Sequence, residues 1–365
     1  MKTKLAAIFI TLSTLLLTVA VFRVSAATNP TWNREAAAKY LDDRETWWQN
    51  WPRAQKDHGT VCISCHTQVP YAMVRPGLRH ELGEYAMTSA EKAMRDSVEK
   101  RVADWDNMTP FYSDEKNGRG KTEEARSTEV VLNAVILASF DASQGHLRPI
   151  TRKAFDEAWA LQDQAGGDAG SWLWQNFHLG PWEGEESRYY GAAIFMLEAL
   201  NAPDNFAAEP ETRAHLNKVR DYLRANYALQ PTANQLYVLW ASAKEPDLLP
   251  TADRTALLAK LNAQQQPDGG WRTTAFDQRK RTDNSPEPTD SDGFATGLTV
   301  LALKEIGTPP TDRSLQRGLA WLASHQQKDG TWTSVSINKA HGPETPGYLF
   351  MTDAATAYAV LALEK

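Results

Sequence analysis

The chain has 365 residues, a formal net charge of −6, a hydrophobic fraction of 42%, thirteen tryptophans and only two cysteines. So acidic a composition argues against nucleic-acid partners and against docking on anionic lipid. The length allows a large buried core, and two cysteines rule out a disulfide scaffold.

Lys2 and Lys4 open a short basic stretch, Leu5 to Phe22 is almost wholly apolar, and Val24-Ser25-Ala26 offers a small-x-small cleavage pattern. Residues 1–26 therefore read as a signal peptide and the protein as exported, periplasmic or secreted. An uncleaved membrane anchor is the alternative, because the apolar stretch is long enough to insert. The remainder, 27–365, reads as one all-helical domain.

An amphipathic helix is expected over 34–49, followed by a tryptophan cluster at Trp47, Trp48 and Trp51. The loop at 56–70 then carries Cys62-Ile63-Ser64-Cys65-His66. This is the C-x-x-C-H spacing of covalent c-type haem attachment. Two thiols three residues apart each form a thioether with one vinyl group, and the adjacent imidazole ligates the iron from the proximal side. Haem c is thus the expected cofactor, held by Cys62, Cys65 and His66. A Cys62–Cys65 disulfide and a zinc site are the rival readings; the first gives His66 no role and the second lacks a matching Cys/His pair. The sixth iron ligand is sought among Met73, His58, His80 and Met351, in that order, with His178, His341 and an open position also considered.

Beyond the motif, amphipathic helices are expected at 89–105, 151–164, 210–227, 251–265 and 312–326. They alternate with helices apolar nearly all round at 124–140, 186–200, 232–243, 292–306 and 353–364, after a first one at 68–82. An amphipathic helix suits an outer ring and an apolar one an inner ring. Six such pairs close into an (α/α)6 toroid, with the haem loop joining the first pair. Glu129, Arg188, Tyr189, Asp292 and Asp353 then fall near inner-helix starts, at the haem-bearing end, and the loops 165–185, 272–291 and 333–352 form the rim. Phe177 to Trp182 and the basic run Arg279-Lys280-Arg281 belong to those loops. The latter reads as a solvated face that could instead pair with haem propionates.

Internal repetition supports the ring. Gln265, Gly269 and Trp271 recur as Gln326, Gly330 and Trp332, and a looser copy joins Gln164, Gly170 and Trp172. These turns, with Gly318 and Trp321-Leu322 ahead of the last, resemble the QW repeats of squalene–hopene and oxidosqualene cyclases. The resemblance implies a terpenoid-cyclase-like toroid and an apolar or polycyclic ligand. It also implies a general acid within an Asp-x-Asp-Asp cluster. The matching segment here is Asp290-Ser291-Asp292-Gly293, in which Asp292 takes the acid's place and Gly293 replaces the last aspartate. Asp290 and Asp292 equally suit helix caps. Three functions follow as expectations. The first is a monohaem c-type cytochrome with an unknown redox partner, performing electron transfer or redox chemistry on an apolar substrate. The second is a cyclase or isomerase using Asp292, with Asp290 and Glu129 beside it. The third is a haem-based sensor.

Overall fold

A computed structural model describes residues 31–364; residues 1–26, expected from the sequence to be a signal peptide, lie outside the described residues. Twelve long helices alternate between two concentric rings. The outer ones are α1 (Arg34–Asn50), α3 (Ser89–Ala103), α5 (Pro149–Ala160), α7 (Pro210–Asn226), α9 (Thr251–Gln264) and α11 (Arg313–His325). The inner ones are α2 (Gln68–Glu81), α4 (Lys121–Gln144), α6 (Ser187–Asn201), α8 (Thr232–Ala241), α10 (Gly293–Glu305) and α12 (Pro346–Glu364). Each inner helix packs on the inner helices before and after it, and α12 packs back on α2, so the ring is closed. The fold is an α/α toroid, with no strand among the described residues.

Composition decides which ring a helix joins. α10 is buried continuously from Gly293 to Leu303, and α12 from Met351 to Ala362. α9 buries only Leu257 and Leu261. A helix apolar on every side is stable only where other helices surround it. Tyr190, Tyr237, Tyr358 and Phe294 fill the centre as an aromatic chain, and the Tyr237 hydroxyl donates to that of Tyr358 at 2.7 Å.

The QW turns are joints between successive hairpins. Each tryptophan donates its indole N–H to the outer helix just finished: Trp172 to Ala158 at 2.6 Å, Trp271 to Leu261 and Trp332 to Leu322 at 2.8 Å. Each glutamine amide reaches the next outer helix. Gln265 donates to the Ser314 carbonyl at 2.8 Å, and Gln326 to that of Asn33 at 2.9 Å. In the looser copy the role falls to Gln162, not Gln164, with donation to His215 at 3.4 Å. Four extra residues before Gly170 displace the glutamine from the expected spacing.

The last joint ties the C-terminal hairpin to α1. There Gly330 has φ +91°, and an added Cβ would lie 2.3 Å from the Ala36 carbonyl carbon. Gly330→Ala therefore combines backbone strain with a backbone clash, and should cost at least ~2 kcal/mol in chemical denaturation. Gly118→Ala, at φ +97° with nothing near its Cβ, isolates the strain and should cost visibly less.

Candidate functional site

The motif loop lies at the end of the toroid where the inner helices begin. Trp48 in α1 donates its indole N–H to the Cys62 carbonyl at 2.8 Å, and Ser97 in α3 accepts from the Val61 N–H through its hydroxyl at 3.1 Å. The Ser64 hydroxyl accepts from the N–H groups of Thr67 and Gln68, both at 3.1 Å, starting α2 in the manner of a capping serine. The loop is thereby fixed before any ligand is considered.

His66 is held by ring contacts and one polar bond. Phe350 of α12 stacks on its face at 3.9 Å, Trp48 meets it edge-on at 5.5 Å, and Trp182 lies at 5.9 Å. Its Nδ1 is 3.0 Å from the Thr67 hydroxyl oxygen. That hydroxyl donates its single proton to Asp353 Oδ2 at 2.7 Å. Asp353 also accepts from Tyr40 and from both Nε and Nη2 of Arg44, so its two oxygens receive four donors. With its proton committed, the Thr67 oxygen can only accept, and the network assigns the neutral imidazole proton to Nδ1. Nε2 then carries a bare lone pair and has no hydrogen-bond partner among the described residues. Burial pushes the His66 pKa down to about 3, so the imidazole stays neutral across the physiological range.

Cys62 and Cys65 are buried, free thiols. Burial pushes Cys62 up to about 11 and Cys65 well above its ordinary value, so both remain protonated. No group of three His, Cys, Asp or Glu side chains converges on a metal-sized site among the described residues, which disfavours the zinc reading.

Two cavities meet at this loop. A small one of about 30 Å³ is lined by Cys62, Cys65, His66, Tyr112, Trp174 and Glu183. A larger one of about 470 Å³ is walled by Trp51, His66, Trp182, Glu183, Phe350 and Met351, with Arg53, Lys339 and His341 towards its opening. His66 and Glu183 line both, so the two adjoin across this pair. The donor set fits a c-type haem. Free thiols flank one side of His66, its in-plane lone pair is unused, and a mostly aromatic cavity lies alongside. Phe350 stacks on the face of the ring, not on its edge.

Glu183 was not legible from the sequence. It stands on the rim loop between Trp182 and α6, and neither carboxyl oxygen has a hydrogen-bond partner among the described residues. Burial pushes its pKa up to about 7, opposed by Lys121. It is the acid that faces the cavity.

The acids expected there are elsewhere. Asp292 caps α10, accepting from the N–H groups of Phe294 and Ala295, both N–H and hydroxyl of Thr273, and the Ser334 hydroxyl. Burial raises its pKa and these five donors oppose that, so its oxygens are spent on structure. Asp290 is exposed on the loop before it. Glu129 is fully buried in an ion pair with Arg101 and lines neither cavity. Arg188 pairs with Asp163 and Asp168, and Tyr189 donates to the Leu223 carbonyl.

Met73, the first choice for a distal ligand, lines a separate pocket with Ser143, Trp240 and Lys244, at the opposite end of the inner ring. His80 ends α2 at that same far end, and His58 is half-exposed beside Asp57. Met351 and His341 are the ligand-type side chains that share the large cavity with His66. The two arginines of the basic run are engaged, Arg279 with Asp277 and Glu186, and Arg281 with the carbonyls of Ser336 and Pro286, while Lys280 is exposed.

One neighbour of the motif sets a pH dependence. Glu45 is fully buried in α1; Gln49 and Gln68 donate to its Oε1, while Oε2 has no partner. Burial pushes its pKa up to about 8. Between the ordinary carboxyl value and pH 8 the folded chain holds a proton that the unfolded chain releases. Stability from this group therefore falls as pH rises through that window. Glu45→Gln should flatten the decline in denaturation midpoint from pH 5 to 8.

With this geometry in place, known proteins can be compared. The squalene-hopene cyclase C-terminal domain matches residues 253–365, the last third of the chain and the region of the two regular QW turns. The chain has a terpenoid-cyclase-like fold. A solved wild-type glycosidase shares 13% identity over 91% of this chain and 96% of its own, with a TM-score of 0.50. A single-residue glycosidase variant gives 13%, the same coverage and 0.51. A glycosyl hydrolase family 88 protein from Bacteroides vulgatus is 14% identical over 91% of this chain and 98% of its own, at 0.47. At such identities the first two speak for the helical toroid alone. No curated protein matches the chain.

Proposed function

We propose that the chain is an exported monohaem c-type cytochrome built on a terpenoid-cyclase-like toroid. Cys62 and Cys65 would carry the haem as thioethers, and His66 would ligate the iron. The supporting observation is the Asp353–Thr67–His66 chain, which leaves Nε2 bare beside two free thiols and an aromatic cavity. A metal-bound histidine commonly donates its other N–H to an oxygen of the protein, which fixes the tautomer and the ring orientation. The haem when bound supplies one-electron chemistry. The protein's own residues orient the imidazole, exclude water through Trp48, Trp182 and Phe350, and hold a proton at Glu183. An exported redox partner, or an apolar molecule oxidised or reduced beside the haem, completes the reading.

The test is a pyridine haemochrome spectrum of protein exported from a host with haem c maturation machinery. A c-type band supports the reading and its absence removes it. Native spectra of Met351→Ala and His341→Ala then identify the distal ligand, because loss of that ligand opens the iron to carbon monoxide.

The family match over 253–365 speaks more directly for a second reading, a cyclase or isomerase acting on an apolar substrate. In this chain the cavity acid for such chemistry would be Glu183, since Asp292 is held by five donors. Turnover that survives loss of haem and disappears in Glu183→Gln would establish it.

A further inference from the structure

The large cavity has an uneven distribution of charge. Trp51, Trp182, Leu179, Phe350 and Met351 give it apolar walls, while Arg53 and Lys339 stand exposed at its opening. Other basic side chains nearby are taken: Arg44 by Asp353, Arg279 by Asp277 and Glu186, and Arg281 by backbone carbonyls. Arg53 and Lys339 have no carboxylate partner among the described residues; the recorded contact of Arg53 is with the Trp51 ring, at 6.0 Å. The acid lining the cavity, Glu183, lies at its inner end, where the small cysteine-lined pocket begins. One carboxylate stands near this rim, the exposed Asp283, which accepts from the Ala340 N–H beside Lys339, so Arg53 and Lys339 leave the mouth of the apolar cavity with an excess of positive charge. An anionic group is drawn to the opening, while the apolar walls favour an uncharged body further in.

We propose that Arg53 and Lys339 form a rim that reads carboxylate, so that the occupant of the cavity is an apolar body carrying carboxylate at one edge. Two sources supply that chemistry: the propionates of a haem attached at Cys62 and Cys65, or a free apolar carboxylic acid. The first source rests on the cytochrome reading; the second does not.

The experiment uses the full chain in two forms, one exported with haem c maturation and one made without it. The probes are 1-pyrenebutyric acid and 1-pyrenebutanol, which share an apolar body and differ in the carboxylate. In the maturation-free protein the acid should bind about tenfold more tightly than the alcohol, read by quenching of tryptophan fluorescence. Arg53→Glu with Lys339→Glu should abolish that preference and leave alcohol binding unchanged. Both side chains are exposed, so the double variant should fold, as circular dichroism checks; the single variants serve if it does not. In the matured protein, the same reversal should lower the haem midpoint potential, because cations beside the propionates favour the reduced state. A fallen potential identifies propionates as the occupant. Acid preference with an unmoved potential identifies a free acid. Equal binding of acid and alcohol together with an unmoved potential overturns the proposal. If no haem is attached at all, the cytochrome reading fails and the acid-to-alcohol ratio alone decides the rim.

Discussion

Asp353→Asn is expected to lower folding stability by about 3–5 kcal/mol, which denaturant titration would measure. Arg44 is buried and loses the negative charge it forks onto, and the amide N–H of asparagine turns a donor towards other donors. The bond also joins α12 to α1, the first and last long helices, so its loss falls on the closure of the ring. A second consequence concerns His66. Once the carboxylate is gone, the Thr67 hydroxyl is free to turn and donate to Nδ1, and Nε2 takes up the proton. Thr67→Val separates the two effects. It keeps the Arg44–Asp353 pair, should cost about 1 kcal/mol, and should still shift the His66 nitrogen resonances towards the other tautomer. Unchanged histidine resonances in both variants would show that Asp353 does not set the proton on His66.

Glu129→Ala should be of similar size, about 3–5 kcal/mol, for a related reason. Arg101 and Glu129 are both wholly buried, and removing the acid strands a guanidinium. Arg101 also donates to Thr60 at 2.8 Å and to the Thr109 carbonyl at 2.7 Å, and pairs with Asp57 at 3.3 Å. Disturbing it should loosen the segment leading into the cysteines. Hydrogen exchange ought to quicken at residues 57–62 more than in α10, on the far side of the pair. Replacing both partners by hydrophobic residues, Arg101→Met with Glu129→Leu, should recover part of the stability, since no charge is then left buried alone. If the double variant is as unstable as the single, the pair supplies more than mutual neutralisation.

These two acids show how far sequence reasoning reaches. The alternation of amphipathic and apolar helices exposed the toroid, because the two rings demand opposite surface patterns. The boundaries followed within a few residues except at α12, which begins at Pro346 rather than near 353. Proline at the first turn of a helix starts it, and the preceding Gly342 to Thr345 disguised the start as loop. That shift matters. Asp353, expected at a helix start, lies two turns inside α12, where its carboxylate reaches across to α1 and Thr67. Glu129 had a suitable position near an inner-helix start, yet its partner is 28 residues earlier in α3. Cys62, Cys65 and His66 stand out in the sequence by their C-x-x-C-H spacing, and being adjacent in one loop they necessarily come together beside the two cavities. Glu183 and Met351 were harder to place, because they reach the cavity from a rim loop and the last helix, far apart in the chain. No local pattern encodes such convergence.

The attachment of haem is the claim on which the functional reading stands, and intact mass tests it most directly. Protein exported with haem c maturation should weigh one haem more than the processed polypeptide, and the added mass should map to the peptide containing Cys62 and Cys65. A mass equal to the polypeptide alone, with both cysteines recovered as free thiols or as a disulfide, would contradict the account.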